Sequence, residues 1–330
     1  MTRDSNCVDR RTFLRTTTAV GAAGIAGCSS LSESEYPSQD IEMIVPWASG
    51  GGTDRTGRAL ADTASEMVDP SVFVTNVTGG TGSVGHSEMA NSDPNGYTIG
   101  TLDITICQIE HMGIAEINHT AFSPIIQYNN DPAAITVHQD SEWDSIDALV
   151  DAAEENPEEI DVSNAGNGGV WHIAAVGFAR EAGVTFGHVP YDGGNPAAQA
   201  VLSGEVDATA ASAVEVRPLT EGDDGELEIL AVMGDERLPW AEDVPTLQEA
   251  GYDWSFGAWR GLGAPEGVDE ERLSFLEETF TEVYESDSFQ DFMSEQGFGT
   301  IYRTGDEFGD FMDQQYEAMG ELIEAIGLNE

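Results

Sequence analysis

The sequence predicts an α/β fold of two lobes, in each of which a mostly parallel sheet is flanked by helices. Short apolar runs of strand length alternate with amphipathic runs of helix length, which is the pattern of parallel βαβ units. The chain of 330 residues is longer than one domain of usual size, so two lobes are expected once an N-terminal leader is removed.

The predicted elements follow one another in chain order. Short apolar runs bounded by turn residues are assigned to strands, and segments with apolar residues three or four positions apart are assigned to helices. Residues 270–326 are predicted to be helices with acidic outer faces. The predicted strands are 41–47, 72–77, 97–102, 134–137, 160–163 and 185–189, and the predicted helices are 54–67, 83–91, 146–155, 171–182 and 196–203.

Two segments, residues 132–139 and 252–265, are predicted to cross between the lobes. Lobe 1 is accordingly expected to combine residues 40–132 with 256–330, and lobe 2 to contain residues 133–255. The sequence has no heptad run and no tandem repeat, so a coiled coil or a solenoid is not expected.

The charge of the chain is strongly one-sided. It contains 61 acidic residues and 12 basic residues, and its formal net charge is −49. Every one of the basic residues is an arginine. Nucleic acid is excluded as a partner because a phosphate backbone requires a basic surface. Acidic residues spread along the whole chain are typical of a halophilic protein, since molar salt shortens the Debye length to about 3 Å and screens their repulsion.

The N-terminus resembles a twin-arginine export signal that ends in a lipobox. Arg10 and Arg11 precede an apolar run too short to span a bilayer, and Cys28 follows this run. Residues 1–27 are therefore predicted to be the signal and residues 28–39 a flexible tether. This predicts export by the twin-arginine route and a lipid on Cys28 that holds the protein on the outer face of the cytoplasmic membrane.

Cys107 is the thiol that remains after removal of the leader and lipidation of Cys28. A single thiol forms no intramolecular disulfide. Its neighbours Ile104, Ile106 and Ile109 predict a buried structural cysteine rather than a nucleophile.

Four glycine-rich turns follow predicted strands and precede predicted helices. Glycine allows a ligand to approach the backbone closely, and a helix N-terminus offers unpaired N–H groups together with the positive end of the helix dipole. Such turns favour anions, although each turn by itself is also explained by ordinary turn chemistry. Asp54 has a second explanation too, as a helix cap. The turns are Pro46–Asp54, Gly79–Gly85, Asn164–Gly169 and Tyr191–Pro196.

An exported enzyme is the rival interpretation. Gly80, Gly82 and Gly85 form a G-x-G-x-x-G after a strand, and Asp103 lies at about the distance of a ribose-binding acid. The predicted helix between this motif and Asp103, residues 83–91, is short for a crossover that must pack on a sheet, however. The motif also belongs to the second βα unit, whereas a dinucleotide-binding motif normally belongs to the first. Ser83 lacks the pattern of a nucleophile elbow, and the histidines show no metal-ligand spacing. His172, just inside a predicted helix, is expected to be a packed or capping histidine rather than a base. We therefore expect no catalytic residue, no cofactor and no metal.

The sequence resembles the Bug-type extracytoplasmic receptors of tripartite tricarboxylate transporters over residues 41–330. The resemblance rests on several motifs that occur in order along the chain. They are PWA at 46–48 with GGGTDR at 50–55, GGTGSVG at 79–85, DPNGYT at 93–98, GNGGVWH at 166–172, YDGG at 191–194, GEVDA at 204–208, VPTL at 244–247 and WRGL at 259–262.

The resemblance implies a two-lobed periplasmic-binding-protein fold of the second type, with the ligand in the cleft between the lobes. It further implies capture of a small mono-, di- or tricarboxylate by a monomer that delivers it to the membrane subunits of a transporter. A sensor that presents its ligand to a signalling partner is the alternative. The ligand contacts implied by matching residues are Trp47, Ala48, Gly51, Thr53, Asp54, Ser83, Gly168, Gly169, Tyr191 and Gly194. Two residues depart from the family pattern: Gly169 stands where relatives often have serine, and Trp171 adds bulk nearby. Because a lost hydroxyl and an added indole change the pocket, the substrate of a relative cannot be assigned to this chain.

Overall fold

Strands and helices alternate along most of the chain. A computed structural model describes residues 36–191, 193–221 and 225–328; the proposed leader, most of the tether and Cys28 lie outside these residues. The strands are β1 (Ile41–Val45), β2 (Val72–Asn76), β3 (Thr98–Asp103), β4 (Phe122–His138), β5 (Asp161–Ala165), β6 (Gly187–Tyr191), β7 (Ala208–Ser212), β8 (Leu227–Val232), β9 (Gly257–Pro265) and β10 (Thr300–Arg303). The α-helices are α1 (Gly52–Met67), α2 (Ser83–Ala90), α3 (Ile146–Glu155), α4 (Val170–Ala182), α5 (Gly194–Leu202), α6 (Ala213–Thr220), α7 (Glu270–Glu285), α8 (Asp287–Gln296) and α9 (Gly305–Ile326).

The strands form one path in the order β2-β1-β3-β9-β4-β7-β5-β6. At one end β1 pairs in parallel with β2 and β3, and at the other end β5 pairs in parallel with β6 and β7. The central strands β4 and β9 are antiparallel to their neighbours, as are β8 and β10 where they pair with β4. The predicted α/β class is confirmed, with antiparallel strands at the centre of an otherwise parallel arrangement.

Strand β4 connects the two halves of this sheet. It pairs with β9 as far as Pro132 and with β7 from Ala133 onward. The residues from Tyr36 onward cluster as a single compact unit, so the division into lobes stays a prediction.

Several strands and one helix were not predicted from the sequence. Strand β7 consists of alanine, threonine and serine, which lack the bulk of typical strand residues. The first part of β4 contains Asn129, Asn130 and Asp131, which interrupt the apolar pattern. Hydrogen bonds from strands far apart in the sequence hold both segments extended, so local composition does not predict them. The other unpredicted elements are β8 and α6, and β9 lies in a segment that was expected only to cross between lobes. The prediction of helices over residues 270–326 is wrong at β10, which is a strand that pairs with β4.

The parallel βαβ units bring the carboxyl ends of their strands close to one another. The carboxyl ends of parallel strands lie on one edge of a sheet, and the following helices begin there. In this fold α1 follows β1, α4 follows β5 and α5 follows β6. Among the described residues, no helix is both long enough and apolar enough to cross a membrane.

Candidate ligand-binding site

A cavity of about 340 Å³ lies where strands from both halves of the sheet end. The turn before α1 and the turns before α4 and α5 all line it. Side chains from β9 and α6 complete it. The lining residues are Trp47, Ala48, Ser49, Gly50, Gly51, Gly52, Thr53, Asp103, Ile104, Ala165, Gly169, Val170, Trp171, Gly193, Gly194, Asn195, Pro196, Glu215, Ala258 and Arg260.

Three helix N-termini meet at this cavity. The residues that cap α1, α4 and α5 are Gly51, Gly169 and Gly193, which have no side chain to accept the first N–H groups of each helix. By contrast, side chains of Ser145, Asp269, Ser286 and Thr304 cap α3, α7, α8 and α9. Uncapped N–H groups at the positive end of a helix dipole favour an anion. The cavity therefore concentrates backbone donors without using lysine.

Asp54 holds the turn before α1 in place. Its carboxylate accepts hydrogen bonds from the Gly50 backbone N–H at 2.8 Å, from Asn76 Nδ2 at 2.8 Å and from Arg58 Nε at 2.9 Å. Burial of Asp54 disfavours its charge, but the bonds from Arg58, Gly50 and Asn76 outweigh that effect and lower its pKa. Asn76 also donates to the Trp47 carbonyl at 2.9 Å, which ties the turn to strand β2.

Arg260 is the one basic residue among the described residues that line the cavity. Its guanidinium donates through Nε to Thr53 Oγ1 at 2.9 Å and through Nη1 to Asn129 and Asp131. Burial disfavours the positive charge, but its neighbours, first among them the Asp131 carboxylate, outweigh that effect and raise the pKa of Arg260. The remaining nitrogen, Nη2, lies next to Gly52 at the start of α1.

Asp103 is engaged within the protein. Its carboxylate accepts hydrogen bonds from Trp47 Nε1 and from the backbone N–H and hydroxyl of Thr105. These bonds fix the indole of Trp47 at the cavity wall. The G-x-G-x-x-G segment packs behind that indole, since a Cβ at Gly82 would lie 3.4 Å from Trp47 Cζ2. Neither feature of the rival dinucleotide interpretation thus forms a ribose-binding arrangement.

Six of the ten predicted contact residues line the cavity, namely Trp47, Ala48, Gly51, Thr53, Gly169 and Gly194. Their contact with a ligand stays a prediction. Three of the four glycine-rich turns meet there, while the turn Gly79–Gly85 does not.

The other four predicted residues are not among the residues that line the cavity. Asp54 is used by the turn described above, and Ser83 is buried at the start of α2. The Gly168 backbone N–H donates to His172 Nδ1 at 2.9 Å, and the Tyr191 carbonyl accepts from the Gly166 N–H at 2.9 Å. Contact of these four residues with a ligand stays a prediction as well.

Two charged residues of the cavity were missed from the sequence. Arg260 was noted only as part of a crossing segment, and Glu215 was not singled out. A signal existed for Arg260, because a single arginine stands there within an apolar, glycine-rich strand. Glu215 had no such signal in a chain with 61 acidic residues.

The predictions for Cys107 and His172 hold in the structure. Cys107 is fully buried, and burial raises the pKa of its thiol. His172 is buried, and its ring meets that of His188 at a centroid distance of 4.8 Å. Burial and His188 lower the pKa of His172 to about 4, so it is a packed, neutral histidine.

Known proteins of one family match the chain. The profile of the tripartite tricarboxylate transporter family receptor matches residues 56–328. Protein BugT of Bordetella pertussis is 26% identical over 315 residues, which cover 93% of this chain and 95% of BugT.

Solved structures match as well. A TctC solute binding protein from Polaromonas is 36% identical, with a TM-score of 0.73 over 88% of this chain and 99% of that protein. A protein of R. palustris solved with adipate is 25% identical, with a TM-score of 0.82 over 89% of this chain and 99% of that protein. The chain belongs to the receptor family of tripartite tricarboxylate transporters, whose members are extracytoplasmic solute-binding proteins and not enzymes.

Proposed function

We propose that this receptor captures a small organic carboxylate in the cavity between α1, α4 and α5 and delivers it to the membrane subunits of its transporter. The observation that carries the proposal is the meeting of three glycine-capped helix N-termini at one cavity. Closure of the two predicted lobes around the ligand would present the loaded form to the transporter.

The charges around the cavity support an anionic ligand group. The uncapped helix N-termini favour negative charge, and Arg260 brings a guanidinium to the same wall. Thr53, which the resemblance names as a contact, is held by Arg260 Nε. The relative of R. palustris solved with adipate also supports a carboxylate.

The size of the cavity supports a small ligand. Its volume of about 340 Å³ lies at the lower end of the range of roughly 300–1,000 Å³ that is usual for ligand pockets. Two indoles, those of Trp47 and Trp171, limit it further. Mono-, di- and tricarboxylates of a few carbon atoms are therefore the class to test.

The proposal includes where the receptor lies and the salt concentration in which it works. The paired arginines before Cys28 support twin-arginine export and a lipid anchor on the outer face of the cytoplasmic membrane. The net charge of −49 supports a halophilic protein.

A thermal-shift screen in molar KCl tests the proposed ligand class. Organic acids, amino acids and nucleotides are each added to the purified chain from Ser29 onward. Because a ligand that binds only the folded state raises its stability, we expect at least one small carboxylate to raise the unfolding temperature. Calorimetry then measures its affinity, with Arg237→Gln at an exposed ion pair as a control. A response to NAD or FAD alone would overturn the proposal.

A further inference from the structure

A second cavity, of about 320 Å³, lies at the central strands β4 and β9. Successive side chains of a strand point to opposite faces of a sheet. In β9, Ala258 and Arg260 line the first cavity, whereas Gly257 and Trp259 line the second. The two cavities therefore lie on opposite faces of β9.

The walls of this second cavity come from both halves of the sheet. Arg303 of β10 and Phe311 of α9 contribute on one side, and Met233, which follows β8, contributes on the other. Pro132 lies between them, at the point where β4 leaves β9 and begins to pair with β7 and β8. A molecule in this cavity would therefore contact both halves where they join.

Arg303 brings an unpaired positive charge to the second cavity. Its Nη1 donates to Gln127 Oε1, and its Cζ lies over the Phe311 ring at 4.2 Å from the centroid. Within the described part of the chain no carboxylate forms an ion pair with it, although five other arginines are paired in this way. Because both partners of Arg303 are neutral, they fix the guanidinium in place and leave its charge available to a ligand.

The other groups of this cavity suit a flat apolar body. The rings of Phe256 and Phe311 are half-buried and line it, so they can pack against an aromatic molecule. Asp235 also lines the cavity, but it is exposed and forms no ion pair with Arg303. A volume of about 320 Å³ lies near the lower end of the range of roughly 300–1,000 Å³ that is usual for ligand pockets.

We propose that the second cavity binds a small organic anion with a flat apolar body, such as an aromatic carboxylate, whose anionic group pairs with Arg303. The N–H groups on Nε and Nη2 of Arg303 match the two oxygens of a carboxylate. The rings of Phe256 and Phe311 pack against the apolar body. This site is separate from the cavity of the proposed function, and neither proposal depends on the other.

Cinnamate and its neutral amide, cinnamamide, are the probes for this site, since they share the flat apolar body and differ in charge. Equilibrium dialysis in molar KCl measures the affinity of both for the wild type and for Arg303→Gln. Arg237→Gln, at an exposed ion pair, is the matched control for the loss of one arginine.

A second pair of variants tests the location of the site without changing Arg303. Gln315 of α9 lines the cavity, whereas its neighbour Gln314 is exposed and does not. Gln315→Trp should fill the cavity with an indole, and Gln314→Trp places the same indole outside it.

In the wild type we expect cinnamate to bind at least about tenfold more tightly than cinnamamide, because only the carboxylate pairs with the guanidinium. Arg303→Gln and Gln315→Trp should each weaken the binding of cinnamate at least about tenfold. Arg237→Gln and Gln314→Trp should leave it unchanged. Thermal unfolding of all four variants verifies that they fold.

The inference is overturned if cinnamate does not bind the wild type, or binds it no more tightly than cinnamamide does. Neither result depends on the folding of any variant. It is also overturned if Arg303→Gln or Gln315→Trp folds and keeps the wild-type affinity, because cinnamate then binds elsewhere. All of these results leave the proposed function standing, since that function concerns the first cavity.

Discussion

The Arg260 guanidinium and the Asp131 carboxylate form an ion pair in which 5% and 0% of the two side chains are exposed. The pair joins β9 to β4 directly beside the cavity. Asn129 and Thr53 accept the other hydrogen bonds of the guanidinium. The pair thereby couples the central strands to the first turn of α1.

Removing one partner of this pair should be costly. We expect Asp131→Asn to lower the free energy of unfolding by about 3–5 kcal/mol, because it leaves a buried guanidinium without its counter-charge. Urea unfolding in molar KCl measures the change. Arg237→Gln, which breaks an exposed ion pair with Glu249, is the control and should cost less than about 1 kcal/mol. Equal effects of the two substitutions would contradict the prediction.

Adjacent glycines at the start of α1 should differ in their tolerance of alanine. A Cβ at Gly52 would lie 2.8 Å from Arg260 Nη2, whereas a Cβ at Gly51 would meet only the Ala48 carbonyl at 3.6 Å. We expect Gly52→Ala to destabilise the protein by about 1–3 kcal/mol through displacement of the guanidinium. Gly51→Ala, the matched control, should change stability by less than about 0.5 kcal/mol. Thermal unfolding of both variants decides the matter, and a neutral Gly52→Ala would refute the close contact.

Asp54 should affect ligand binding although it is not among the residues that line the cavity. Asp54→Ala removes the acceptor for the Gly50 N–H, Asn76 and Arg58, so we expect the turn to loosen and the carboxylate affinity to fall at least about tenfold. Calorimetry with the carboxylate found by screening measures this. Asp62→Ala, at an exposed position of the same helix, should bind normally. Unchanged affinity in a folded Asp54→Ala would show that the turn needs no such support.

His172 should make stability depend on pH in mildly acidic solution. An unfolded histidine takes up a proton near pH 6.5, but burial and His188 lower the pKa of folded His172 to about 4. Between these values the unfolded chain binds more protons, so stability falls as the pH decreases from about 6.5 towards 4. We expect His172→Gln to have a shallower decline in this window, measured by urea unfolding at several pH values. The same slope in both proteins would contradict this role.

The acidic surface should make the fold depend on salt. The net charge of −49 is screened over about 10 Å at 0.1 M salt and about 3 Å at 1 M. We therefore expect the unfolding temperature to rise steeply between these concentrations of KCl. Sucrose at matched osmolality, which screens no charge, serves as the control and should give a smaller rise. A flat or falling response to KCl would argue against a halophilic protein.

The sequence alone determined the alternation of strands and helices from β1 to β3 and from β5 to α5, together with the positions of the glycine-rich turns. Both depend on local properties, namely the period of apolar residues and the absence of side chains at Gly51, Gly169 and Gly193. Because parallel strands end at one edge, local pattern also indicated that such turns lie close to one another.

Only the tertiary structure decided which side chains complete the cavity. Arg260 and Glu215 belong to β9 and α6, which are distant in the sequence from the turn before α1 and reach it only through the order of strands in the sheet. Asp54 and Ser83, which the resemblance implies as ligand contacts, are not among the residues that line the cavity. Which turn faces a cavity depends on long-range strand pairing, and that information is absent from any short segment of the chain.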